Sequence, residues 1–467
     1  MSPLYKKIST FLMLGLLAVS AFFIRLENFK NSPSRTIDEV VFFRMGQQVS
    51  SDWGNYNSIQ YGQELKASGR ELPSYFFKPL YKHPPLFTFL IAFAMKLIGS
   101  TSINVAALVV ILCGSLLIPL VYLLALEIFM DKRTAILSAI FMWFDPVSTI
   151  CSQKIWMDTS LCLFSTASVY FFVKALRSDN KLQWWVLSAI MTGLAVNIKY
   201  TALLMLAAQW LYILIYKHDL LKTKKLWFLT LITFLMLLPW AIWNLKVYGQ
   251  FNSTFSEDDF THLFKTLALR LSVLAAFFAS MILLFKKFES KISFTPSPLT
   301  AARTTWIIYT ALLAILLTSI LHSFNMYHLP KTTWVGGLLA QEPANFYLTQ
   351  LIEFSPLYIL SFILLFRFET QPKTPLISVL KLTIAITYIF FIAWGNFQSR
   401  YILTAIPALI ILASEQIIRW CDQVKAQENW LLRSVLRAGL LLLFCFIIIK
   451  TARINSVVSF PNNLCYF

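Results

Sequence analysis

The sequence predicts an all-α polytopic membrane protein, with about thirteen transmembrane helices and a long first outer loop carrying short interfacial helices. Three observations carry this prediction. Hydrophobic residues make up 58% of the 467-residue chain and charged residues 13%, whereas a soluble protein has about 25% charged and 45–50% apolar residues. Apolar runs such as Ile8–Ile24, Leu226–Trp243 and Leu440–Ile449 contain no charge at all. Lys and Arg gather in the short gaps between such runs. A disordered chain, a disulfide scaffold and a soluble nucleotide-dependent enzyme are excluded by the same facts.

A span requires about 20 mainly apolar residues. Spans are expected near 8–24, 104–126, 134–150, 158–174, 184–197, 201–216, 226–245, 267–285, 304–321, 357–367, 377–395, 401–418 and 435–450. The first run has a basic start at Lys6 and Lys7 but continues into Arg25-Leu26-Glu27 without a small-residue cleavage site, so it reads as a retained helix. Net charge is +18, and its cause is the positive-inside bias of membrane insertion rather than nucleic-acid binding. The basic gaps are Lys132-Arg133, Lys174 to Lys181, Lys217 to Lys225, Lys286 to Lys291, Arg367 to Lys373 and Arg419 to Arg437. Placing them all in the cytoplasm makes the spans alternate, with the N-terminus inside. Pro84–Ile98 is apolar but only about 15 residues long, too short for an ordinary span. It is expected to be tilted, re-entrant or interfacial, because a full crossing would invert every later loop.

The outer face then receives a first loop over 25–83, further loops over 246–266 and 322–356, and shorter turns. No repeat and no Gly/Ser- or Pro-rich linker divides the chain, so 1–467 reads as one membrane domain. The six cysteines form no CxxC pair, which argues against a zinc ribbon.

Chemistry-bearing residues collect on this outer face. Asp38 and Glu39 open the first loop; a carboxylate held against apolar surface can accept a proton from a hydroxyl, and acids also suit a helix N-terminus on their own account. On a helix the two side chains would point about 100° apart, so one of them faces the centre. The loop closes with Tyr81-Lys82-His83-Pro84-Pro85, where the prolines stop a helix from starting earlier. Lys82 suits a phosphate as a point charge. His83 can hold a hydroxyl, relay a proton or ligate a metal. Asp158 stands at the outer start of a span, where capping alone would explain an acid. Lys199-Tyr200 breaks two apolar runs, and Arg270 and Arg400 sit at outer span ends, where snorkelling accounts for any single cation. Several cations and a few acids around one rim fit a phosphate-bearing lipid. Glu257-Asp258-Asp259 with His262, the pair His322 and His328, and the Asn252-Ser253-Thr254 sequon are weaker signals. No GxGxxG or GxxxxGK[ST] is present, so no ordinary nucleotide site is expected.

In order and spacing, these motifs resemble the lipid-carrier-dependent C-type (GT-C) glycosyltransferases, in the branch of the protein O-mannosyltransferases and the lipid A aminoarabinose transferase. The matching pieces are Ile37-Asp38-Glu39, Lys82-His83-Pro84-Pro85-Leu86, the span end near Pro146, Trp156-Met157-Asp158-Thr159, Asn197-Ile198-Lys199-Tyr200 and Arg400-Tyr401. The resemblance is clear over roughly residues 8–215. It implies transfer of a sugar from a polyprenyl phosphate to a lipid, protein or glycan acceptor, with inversion, at the outer leaflet. Asp38 would be the base or acceptor-orienting acid with Glu39 beside it, and Asp158 the second acid. Lys82, His83, Lys199, Tyr200, Arg270 and Arg400 would bind the carrier phosphate. In the aminoarabinose branch a metal lies near the pair before the proline. Here that pair is Lys82-His83, with no acid, so no cofactor is expected to be required and His83 alone is left as a candidate ligand of a divalent metal. The expected setting is a prokaryotic inner membrane, with membrane lipids and the donor as partners and no nucleic acid. A flippase for a lipid-linked sugar and a whole-glycan ligase are the competing functions. Absent internal symmetry and the one-sided placement of ionisable groups favour the enzyme over the flippase.

Overall fold

A computed structural model describes residues 3–31, 35–178, 181–250, 354–366, 375–394 and 398–458. Among the described residues every regular element is helical. Arg270, the expected spans 267–285 and 304–321, Asn252, the Glu257–His262 cluster, His322 and His328 lie outside them.

Helix α1 (Pro3–Lys30) leads into a compact layer at one end of the bundle, made of α2 (Ile37–Ser51), α3 (Ile59–Ala67), a 3₁₀ turn (Ser74–Phe77) and α4 (Leu86–Ile98). The bundle follows with α5 (Ile103–Phe129), α6 (Lys132–Phe144), α7 (Pro146–Ser152), α8 (Met157–Arg177), α9 (Leu182–Val196), α10 (Leu203–Tyr216) and α11 (Lys224–Tyr248). The later part contributes α12 (Leu357–Phe366), α13 (Ile377–Trp394), α14 (Ile406–Lys425) and α15 (Trp430–Val458). Among the described residues, six helices are long and apolar enough to cross a membrane, and α6 with α7 would make a seventh if the bent pair is one span. Large apolar side chains face outward on α1, α11 and α15; Phe11 and Leu442, for example, are 78% and 70% exposed. Such apolar surface is what lipid contact requires.

Two local features differ from the sequence-based expectation. The run expected as one span over 134–150 is two helices bent by 53°, because Asp145 leaves α6 and caps α7, accepting a hydrogen bond from Ser148 N at 2.7 Å. The first loop starts later than Arg25: α1 continues to Lys30, and Arg25 is buried within it. A buried guanidinium is tolerated there because Asp145, itself buried and hydrogen-bonded by the Tyr358 hydroxyl, lies close enough to act on its charge.

Pro84 and Pro85 set the start of α4, and Gly99, in the left-handed region at φ 70°, ends it. At 13 residues the helix rises about 20 Å, less than the roughly 30 Å of a bilayer core. It packs on α2 and α5 instead. Against it, α2 approaches so closely that a Cβ at Gly46 would lie 2.5 Å from Ile91 Cγ2. This layer has its own core, in which Tyr56, Tyr81, Phe42 and Phe87 meet edge to face.

Candidate active site

The site is built at one end of the bundle, where the start of α2, the chain before α4, the start of α8, the break between α9 and α10, and the 3₁₀ turn Ser399–Ala405 converge. Thr36 caps α2 in a capping box: its hydroxyl accepts from Glu39 N at 3.4 Å and Glu39 Oε2 accepts from Thr36 N at 2.9 Å. That box separates the adjacent acids. Glu39 is completely buried, whereas the Asp38 side chain is 38% exposed. Glu39 also accepts from Ile155 N at 3.3 Å, and Lys154 Nζ stands 3.8 Å from it in a buried ion pair. The Trp156 indole donates to the Thr36 hydroxyl at 3.0 Å. The start of α2 is thus tied to the segment that leads into α8.

Asp38 faces the convergence point. Its Oδ2 accepts from Arg400 Nη2 at 2.7 Å. Arg400 is held in turn by Gln398 Oε1 at 2.7 Å and lies 4.6 Å over the Trp156 ring. Asp158 opens α8 and is buried; its Oδ1 accepts from Lys199 Nζ at 2.9 Å. That ammonium also lies 4.5 Å from the Tyr401 ring. Lys82 Nζ sits 3.8 Å over the Tyr75 ring, and it feels the charges of Asp38, Lys199 and Arg400. Burial, reinforced by the two neighbouring cations and opposed by Asp38, pulls its pKa down to about 8. His83 is pushed well below 6.5, first by burial and then by Lys82, Lys199 and Arg400, so its ring is neutral at neutral pH.

Of the residues expected from sequence, Asp38, Asp158, Lys82, His83, Lys199 and Arg400 are brought together. Glu39 lies behind them, enclosed by its own partners. Tyr200 turns into the aromatic packing, where its hydroxyl accepts from the Trp240 indole at 2.6 Å. His83 contributes its backbone to the same scaffold, its carbonyl accepting from the Tyr56 hydroxyl at 2.9 Å. Sequence reasoning missed Lys154, Tyr75 and the Arg25–Asp145–Tyr358 cluster. A lysine between two apolar runs was the available signal for Lys154. Among the described residues no three His, Cys, Asp or Glu side chains are grouped to hold a metal ion.

Three cations thus face two carboxylates, beside the rings of Tyr75, Trp156 and Tyr401. The arrangement has an uncompensated positive charge for one anion and a partly exposed carboxylate beside it. Chemically it can hold a phosphate and accept a proton within the same space.

The overall architecture has known counterparts. ArnT from Cupriavidus metallidurans, solved bound to undecaprenyl phosphate, matches at a TM-score of 0.55 and 14% identity over 96% of this chain and 71% of that one. The archaeal oligosaccharyltransferase AglB from Archaeoglobus fulgidus, solved with an inhibitory peptide and a dolichol-phosphate, matches at a TM-score of 0.54 and 16% identity over 98% of this chain and 57% of that one. The chain has the GT-C fold. Within it, residues 82–243 match the family described as dolichyl-phosphate-mannose-protein mannosyltransferase, and that segment carries Lys82, His83, Asp158, Lys199 and Tyr200. No curated protein sequence matches the chain. Asp158 and Lys199 both lie within the matched segment, whereas the partners of the other ion pair, Asp38 and Arg400, lie on either side of it.

Proposed function

We propose that this chain is an inverting glycosyltransferase that takes a sugar from a polyprenyl-phosphate carrier and moves it to an acceptor at the outer face of the membrane. The family matched by residues 82–243 and the shared fold support the donor class. The observation that carries the reading is the pairing of Asp38 with Arg400 and of Asp158 with Lys199 at one end of the bundle, with Lys82 beside them.

In the proposed reaction the acceptor hydroxyl gives its proton to Asp38 as its oxygen attacks the anomeric carbon. The bond between that carbon and the phosphate oxygen breaks, and its electron pair stays on the phosphate. The donor is a phosphodiester with one negative charge and the released carrier a phosphomonoester with a second, so charge grows on the phosphate as the bond breaks. Cations placed there stabilise the transition state more than the bound donor, which is the condition for acceleration. Lys82, Lys199 and Arg400 take that part. Asp158 holds Lys199 in place, and Glu39 is a positioning residue rather than the base. Arg270, from the resemblance alone, remains a further candidate for the phosphate, and His83 and Tyr200 belong to the packing that supports the site. No metal is needed for this scheme.

The basic gaps support the outer-face assignment. Arg133 and Asp422, which pair at 2.7 Å, stand at the far ends of α6 and α14 from Asp145 and Arg400. This separation of the positive loops from the site supports, by the charge rule, a site that faces the periplasm or cell exterior, with a prokaryotic inner membrane as the proposed setting.

The test is release of polyprenyl phosphate from a panel of polyprenyl-monophosphate sugars by purified protein in detergent. Release that disappears in Asp38→Asn is expected. Folded protein that releases nothing from any donor would move the assignment to a flippase or a whole-glycan ligase.

A further inference from the structure

A second feature lies at the opposite end of the bundle and does not depend on the proposed transferase activity. Between α6, α14 and α15 the structure holds a cavity of about 390 Å³, open on one side, within the roughly 300–1,000 Å³ of small-ligand sites. Its wall is apolar, including Leu137, Val424, Leu441 and Phe444, and two cations, Lys425 and Arg437, stand on its lining. Those two cations sit at the C-terminal end of α14 and in the first two turns of α15. Helix α14 has 20 residues and so rises about 30 Å, one bilayer core from the Arg400 turn to Lys425. The cations are therefore at the membrane surface opposite the candidate active site. Trp430, 70% exposed at the start of α15, marks the same level, since tryptophan favours the headgroup region.

The acids at this end are mostly engaged. Arg133 pairs with Asp131 at 3.0 Å and with Asp422 at 2.7 Å, and Arg419 pairs with Glu415 at 2.7 Å. Glu428 lies in the turn between α14 and α15. Among the described residues neither Lys425 nor Arg437 is in an ion pair. An apolar groove along two membrane helices, with two free cations at headgroup level, is complementary to one molecule that is abundant at that position. We propose that this groove binds an anionic phospholipid of the leaflet opposite the active site, an acyl chain lying between α14 and α15 and its phosphate between Lys425 and Arg437. Basic pockets between membrane helices recognise such headgroups in this way.

Cys421 lines the groove, whereas Cys445 is exposed on α15 and is not on its lining. This permits a test on the full chain in liposomes, with N-ethylmaleimide labelling read at each cysteine by peptide mass spectrometry. Adding phosphatidylglycerol to phosphatidylcholine liposomes should slow labelling of Cys421 and leave Cys445 unchanged. Lys425→Gln and Arg437→Gln should each raise the phosphatidylglycerol needed for half-protection by about fivefold. Equal protection in phosphatidylcholine alone would overturn the proposal, because the groove would then be filled by the chain itself or by any lipid. So would protection by phosphatidylglycerol that survives both substitutions, or protection by undecaprenyl phosphate with none by phosphatidylglycerol.

Discussion

Arg400 Nη2 donates to Asp38 Oδ2 across 2.7 Å, joining two residues 362 positions apart in the sequence. In this state the carboxylate proposed as base is engaged by a cation proposed for the phosphate. Bound donor offers Arg400 a second anion, so phosphate binding loosens the pair and frees Asp38 for the acceptor hydroxyl. Donor before acceptor is the order this geometry favours.

Removal of either partner should therefore be strongly non-additive. Asp38→Asn is expected to lower turnover by about 10²–10⁴-fold, the usual contribution of a general base. Arg400→Gln should lower it by about 10²–10³-fold, as for loss of one stabilising donor. Because the two side chains are in contact in the free enzyme, the double variant should lose less than the product of the two single losses. Steady-state release of polyprenyl phosphate measures all three, and losses that simply multiply would show that the residues act independently.

Lys82 gives a pH dependence whose sign follows from its environment. Burial and the cations Lys199 and Arg400 lower its pKa to about 8, so below that pH it is charged and attracts the donor phosphate. Above it the ammonium is lost and donor affinity falls. The donor KM is expected to rise through pH 8–9, and Lys82→Arg, with a guanidinium that stays charged, should move that rise to higher pH. A flat KM between pH 7 and 10 in the wild-type protein would remove Lys82 from phosphate binding.

Glu39 and Lys154 test positioning separately from chemistry. Breaking a buried ion pair by removing one partner costs about 3–5 kcal/mol, so Glu39→Gln and Lys154→Met should each lower the thermal midpoint clearly. The double variant, which leaves no buried unpaired charge, should recover much of that stability. Glu39→Gln should also retain measurable turnover where Asp38→Asn has almost none. Turnover as low as that of Asp38→Asn, in protein with a normal midpoint, would make Glu39 the base instead.

How much of this could be read beforehand depends on the range of the interaction concerned. The bundle was legible because apolar runs and basic gaps are local features, and the Pro84-Pro85 stop and short α4 follow from residues that are adjacent in sequence. The motifs around Asp38, Lys82, Asp158, Lys199 and Arg400 could be found as charges at span ends. The choice between Asp38 and Glu39 could not be made, because it depends on Ile155 N and Lys154, more than a hundred residues away. Arg25 looked like the start of a loop for the same reason: its compensating acid, Asp145, belongs to another helix. Tyr200 shared a motif with Lys199, yet its direction is set by Trp240 on α11.

The last relationship concerns how Asp38 is held at its height above the bundle. Helix α2 rests on α4 through Gly46, where an added Cβ would fall 2.5 Å from Ile91 Cγ2 and 3.3 Å from Ile91 Cβ. Ile91 is fully buried, so it has little room to yield. Gly46→Val must push the two helices apart, at a cost of about 1–3 kcal/mol for overpacking, and it moves the segment bearing Asp38 away from Arg400. Lower turnover and a lower thermal midpoint are expected together. Ile91→Ala in the same protein removes the clashing branch and should restore a good part of both. If Gly46→Val keeps wild-type turnover and midpoint, the contact between α2 and α4 is not what positions Asp38.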